Sequence, residues 1–133
     1  MYRNNSFRVV LATVAAAGLV SMETMAGETL NSKQIKEMFA DKTIDAVNHA
    51  QGGKSQLTYF SADGKIAQKA PSGEKREGSW RVSDKNQQCI TWSGQKEVCS
   101  SLQARGDGTY DRIVGDKAVV TIQKMRDGNL LDK

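Results

Sequence analysis

Few side chains in this sequence have the types and spacing that chemistry requires, and the two cysteines are the most telling. Cys89 and Cys99 lack the Cys-x-x-Cys spacing of a dithiol redox pair. In an exported domain of this size an even cysteine count reads as a disulfide, and a bridged cysteine is no standing nucleophile. His49 is the only histidine. A transition-metal centre needs several converging ligands, so one imidazole and a pair of bridged thiols lead us to expect no metal site. Asp107, Asp111 and Asp116 lie near two turns and could approach a hard cation, but Asp-Gly pairs are ordinary turn chemistry. There is no Gly-x-Ser-x-Gly elbow, and a triad would depend on His49 in a loop. Two carboxylates meeting in space could hydrolyse a glycosidic bond, yet no spacing singles out a pair. We expect no catalytic residues and no cofactor.

Aromatic side chains offer a different chemistry, that of holding a ligand. Trp80 alternates with Val82, and Trp92 with Ile90, which is how core tryptophans look in strands; at a barrel mouth the same rings would grip a small molecule. Tyr59, Phe60 and Tyr110 are the candidates for an exposed binding face. Arg105-Gly106-Asp107 spells an integrin-recognition tripeptide and reads equally well as a polar hairpin loop.

The chain that must position these groups has 133 residues and a net charge of +4. Arg3 and Arg8 precede an uncharged apolar run, Val9 to Val20, and a more polar segment ending at Ala26. That order matches a secretory signal peptide, and the run is too short to cross a bilayer as a helix. Thr24 and Ala26 are small enough for signal peptidase, so cleavage is expected after Ala26, leaving one domain over 27–133. No second long apolar run follows, and we expect no stable membrane insertion after cleavage. The expected location is the periplasm or the exterior. Basic and acidic residues are interspersed, unlike the clustered basic face of a nucleic-acid binder, so no nucleic-acid partner is expected.

One helix is legible at the start of this domain. Asn31 and Gln34 form a capping box, Leu30 and Ile35 occupy the staple positions, and Ile35, Met38 and Phe39 make an apolar stripe. This predicts a helix over Ser32 to Ala40. Short β-prone runs then alternate with turn signals. They are Thr43 to Val47, Gln56 to Phe60, Lys65 to Lys69, Gly78 to Val82, the Cys89–Cys99 hairpin continuing through Gln103, Tyr110 to Val114 and Lys117 to Lys124. Asp63-Gly64 suits a tight hairpin turn. A turn centred on Gly94 would set Cys89 opposite Cys99 and Ile90 opposite Val98, and would aim Ile90, Trp92 and Val98 at the core. Pro71 to Lys75 reads as a loop, and Arg126 to Lys133 as a polar, frayed tail. The fold expected is mainly β: a short helix, then an antiparallel meander of seven or eight strands curled into a small barrel.

The order of these elements resembles a family of small exported bacterial proteins of unknown function. It is carried by Leu30, Ile35 and Phe39 on the helix, Thr43 on the first strand, Tyr59-Phe60 before Asp63-Gly64, Gly78-x-Trp80-x-Val82, Cys89-x-x-Trp92, and Cys99. It covers the domain up to Cys99 and weakens beyond. The polar, glycine-containing stretch from Asp45 to Gly53 departs from the pattern. The resemblance implies a lipocalin-like β-barrel in the cell envelope and supplies no activity. From residues and resemblance together, the expected function is non-catalytic binding of a small ligand or an envelope protein. The alternatives are an inhibitor of an envelope or host hydrolase, resembling lysozyme inhibitors, and a carboxylate-dependent hydrolase.

Overall fold

The structure is a computed structural model and describes residues 26–132. The expected signal peptide, residues 1–26, lies outside the described residues save for Ala26. No described helix is long and apolar enough to cross a membrane.

Helix α1 (Ser32–Phe39) begins where its capping box dictates. Gln34 N donates to Asn31 Oδ1 at 2.9 Å, and Asn31 N donates to Gln34 Oε1 at 2.8 Å. Two otherwise orphaned N–H groups are thereby satisfied. Ile35 and Phe39, four residues apart, are both fully buried and face inward together.

Eight strands follow: β1 (Lys42–Asn48), β2 (Lys54–Phe60), β3 (Lys65–Lys69), β4 (Lys75–Val82), β5 (Gln88–Trp92), β6 (Val98–Ala104), β7 (Tyr110–Val114) and β8 (Lys117–Asp127). Each pairs antiparallel with the next, and β8 returns to β1 to close the barrel. The fold is thus the small meander barrel expected. Closure leaves no open sheet edge.

The two ends of the barrel differ. At the end where β1 starts, α1 packs across the opening. The Phe39 ring meets Phe60 edge-on at 5.1 Å, and Phe60 meets Trp80 at 5.3 Å. Leu30, Ile35, Leu102, Tyr110 and Ile122 complete this plug. Ser32 fastens the helix to the β4–β5 turn: its N–H donates to Asn86 Oδ1 at 2.9 Å and its hydroxyl to Ser83 O at 2.6 Å. The opposite end carries the β1–β2, β3–β4, β5–β6 and β7–β8 turns and, among the described residues, no α-helix lies across it.

Three expectations need correction. Strand β4 starts at Lys75, because Lys69 pairs with Lys75 and Gln68 with Arg76; the loop around Pro71 shrinks to a tight turn closed by Gly73 N to Ala70 O at 2.8 Å. The polar tail is held down: Leu131 is 5% exposed, Thr43 Oγ1 donates to Gly128 O at 2.6 Å and accepts from Leu130 N at 2.9 Å. Val98 has the expected register opposite Ile90 but is 52% exposed, since it sits at the open end where the wall runs out.

The disulfide joins Cys89 to Cys99, directly opposed across β5 and β6. Its sulfurs face outward from the lumen, and a two-pronged Arg81–Glu97 ion pair (2.8 and 2.9 Å) lies on the same outer face. Closing this loop should stabilise the barrel by about 3 kcal/mol in the chain-entropy model. The Cys89→Ser/Cys99→Ser double variant should therefore unfold at markedly lower urea, as should the native protein under reductant. Superimposable unfolding curves with and without reductant would refute a stabilising bridge.

Candidate functional site

Alternation along the strands turns every second residue into the lumen. Towards the plug those residues are apolar. Towards the open end they become polar, and the lumen widens into a cavity of about 170 Å³. Its floor is Phe60 and Ile66, with Ile44 and Ala46 beside them; Thr58 and Ile90 form the wall, and Asn48, Gln56, Gln68, Arg76, Trp92, Arg112 and Val120 complete the lining. A second hollow, lined by Gln51 and Glu74 among others, shares Gln56, Gln68 and Arg76 with it at the mouth.

The polar groups are held in order by one another. Gln68 Nε2 donates to Thr58 Oγ1 at 3.0 Å, which turns its carbonyl towards β4, where Arg76 Nε donates to Gln68 Oε1 at 2.8 Å. This places the Arg76 guanidinium 3.9 Å above the Trp92 ring, a cation–π contact. Gly78, paired with Trp92, lets β5 come close enough for that ring to enter the lumen. Arg112 enters from β7; its Nη1 donates to Gln88 Oε1 through a short hydrogen bond and lies 3.4 Å from Ser100 Oγ. Gln88 and Ser100 are both buried.

Among the described residues no carboxylate lines this cavity, and neither arginine has an acidic partner in an ion pair. Burial alone pushes the Arg112 pKa down, to about 10, which leaves the guanidinium charged at neutral pH. Burial also lowers the Arg76 pKa. Gln88 Nε2 is buried and has no acceptor among the described residues. The lumen therefore carries an excess of positive charge and of hydrogen-bond donors.

The residues expected from the sequence fall in different places. Phe60 is at the cavity floor. Tyr59 faces outward; its hydroxyl donates to Asp41 Oδ1 at 2.7 Å, and that bond raises its pKa. Tyr110 is 8% exposed within the plug. Trp80 is core, its Nε1 donating to Ser61 O at 2.8 Å, whereas Trp92 lines the cavity. Arg76, Gln68 and Arg112 were not among the expected site residues. A signal for them existed: Arg76 shares a face with Gly78, Trp80 and Val82, and Arg112 shares one with Tyr110.

His49 does have partners. Its Nε2 lies 2.8 Å from Thr121 Oγ1, which donates to Asp111 Oδ1 at 2.8 Å. Asp111 also accepts from Arg105 Nη1 at 3.2 Å. In a nucleophilic triad the acid orients the imidazole; here Asp111 holds the hydroxyl instead, so the arrangement ties the 3-10 turn His49–Gln51 to β7 and β8. Cys89, Glu97 and Cys99 cluster closely enough to suggest metal ligands, but both sulfurs are committed to the disulfide.

No family model, curated protein or solved structure matches this chain.

Proposed function

We propose that this protein binds a small organic molecule in the barrel lumen, outside the cytoplasm, and does not transform it. The observation that carries this reading is a cavity open at one end of a barrel whose other end is plugged by a helix. Its lining combines an aromatic ring, aliphatic wall residues and a few positioned polar groups, the mixture found in small-molecule sites. The disulfide and the expected signal peptide support a location in the periplasm or outside the cell.

Two other readings have less support. A hydrolase inhibitor would need a loop able to enter a cleft. The segments Pro71 to Lys75 and Ala104 to Thr109 are tight turns, closed by Ala70 N to Glu74 O at 2.9 Å and Arg105 N to Thr109 O at 3.0 Å. A carboxylate-pair hydrolase would need two acids facing each other in the cleft, and the cavity lining contains none.

The test is native mass spectrometry of protein recovered from its own host. A discrete mass above the denatured value is expected, and it should vanish in a Val120→Trp variant, whose larger side chain fills the lumen. A bare native mass, together with no binding of an environment-sensitive hydrophobic dye that Val120→Trp blocks, would overturn the reading.

A further inference from the structure

We propose that the lumen ligand is a small organic anion, a carboxylate or phosphate monoester on a compact apolar body, whose acid group pairs with Arg112 while Arg76 closes on it from the mouth. This rests on the lumen being the binding site and adds the chemical class of what enters it.

The first ground is charge. Taking a cation out of water without an opposing charge is costly, and among the described residues the lumen lining holds two guanidinium groups and no acid. Among the described residues Arg112 meets neutral acceptors, Gln88 Oε1 and Ser100 Oγ. Were Arg112 only a strut tying β7 to β5 and β6, a neutral amide would make the same two contacts without the cost of burying charge. The neighbouring Gln88 Nε2 is buried without an acceptor among the described residues. An oxyanion supplies both missing features, a counter-charge and several acceptor lone pairs. The guanidinium fork matches carboxylate and phosphate in a two-pronged fashion.

The second ground is how Arg76 is presented. Its Nε is pinned by Gln68 and its plane rests on Trp92, so the fork is preorganised and less side-chain freedom is lost on binding. Both Nη groups stay without a protein acceptor among the described residues. Arg76 is exposed at the rim and Arg112 is set deeper, so the two define an inner and an outer contact for one acid group.

The third ground is size. A cavity of about 150 Å³ accommodates benzene, so about 170 Å³ suits a single ring with one acid group. Phe60, Ile66 and Ile90 meet the apolar part. A long-chain amphiphile does not fit in this space, because the plug closes the far end.

The experiment is calorimetric titration of host-recovered protein with benzoate, phenyl phosphate and benzamide. One of the two anions should bind with one-to-one stoichiometry and at least ten-fold more tightly than neutral, isosteric benzamide; which anion binds better identifies the acid group. Arg112→Gln should weaken the better anion at least ten-fold and leave benzamide unchanged. Arg76→Gln, at an exposed position, should weaken it several-fold while its urea midpoint stays close to the native one. Benzamide binding as tightly as the anions would overturn the inference and leave the lumen-binding reading standing. The same holds if none of the three binds while a native ligand mass is present. No binding of any probe and no native ligand mass would remove both. Unchanged affinity in both arginine variants would also refute the inference.

Discussion

Replacing Gly78 with alanine is expected to cost more than about 3 kcal/mol, at the upper end of overpacking effects or beyond. The added methyl carbon would lie 2.1 Å from Thr91 O and 2.9 Å from Trp92 Cα. Both are main-chain atoms of the paired strand, so no side-chain rotation relieves the clash. Strands β4 and β5 would have to separate, and Gly78 pairs with Ile66 on its other side, so β3 would be pulled along. Glycine in a strand interior commonly marks such a close approach. The consequence extends to the site. Trp92 would be pushed from the lumen, and Arg76 would lose the ring it rests on. Urea unfolding of Gly78→Ala beside Ser79→Ala, an exposed neighbour, checks this. The second variant should be within about 0.5 kcal/mol of the native protein. A Gly78→Ala midpoint equally close to the native one would show that the strands are not in such contact.

This glycine also illustrates what was legible in the chain. The pattern Gly78-x-Trp80-x-Val82 is visible as a strand with one patterned face, but the reason for its first member, the close approach of Thr91 and Trp92, lies on the next strand and shows only once the two are paired. Local signals were reliable. The Asn31–Gln34 capping box set the helix start, Gly64 takes the left-handed conformation in the β2–β3 turn, and the turn at Gly94 put Cys89 opposite Cys99. Non-local features were hidden. Pairing of β1 with β8 joins segments some eighty residues apart, and no local pattern announces it. The polar stretch from Asp45 to Gly53 departs from the family pattern, yet β1 is bonded on both sides, to β2 and β8, and much of the polarity belongs to the 3-10 turn at the mouth, where Asn48 Oδ1 accepts from Ala50 N at 2.9 Å. Arg76 and Arg112 each have inward parity on their own strand, but only closure makes the two parities face one cavity.

The division of the lumen follows from where stability is generated. The aromatic plug, the helix cap and the disulfide act at the closed end and on the wall, and they bury the largest side chains. The cavity contributes less apolar burial, and its Arg112 reaches down to Gln88, whose buried amide nitrogen has no acceptor among the described residues. Groups that cost stability and persist only because the surrounding structure holds them are a mark of functional sites. The same logic separates Arg112 from the Arg81–Glu97 and Lys42–Asp127 ion pairs outside the barrel, which are solvated and matched.

Phe60 is the boundary between these halves, and Phe60→Ala is expected to lower stability by about 3–5 kcal/mol. The ring is 1% exposed and touches Phe39 on one side and Trp80 on the other, edge-on to both. Truncation removes the buried area and two aromatic contacts, and it leaves a hole that neither strand nor helix can collapse to fill, since the barrel is closed. Because the same ring is the cavity floor, that hole would join the ligand space. A compensating gain is expected: para-alkyl benzoates, too long for the native lumen, should bind Phe60→Ala better than benzoate does, reversing the native preference. Phe60→Met, which refills much of the volume, should recover part of the stability and restore the native order. Chemical denaturation gives the first quantity and calorimetric titration the second. A loss below about 1 kcal/mol would mean that Phe60 does not bridge Phe39 and Trp80. A full loss of stability with an unchanged ligand preference would separate the plug from the cavity and place the ligand's apolar end elsewhere along the wall.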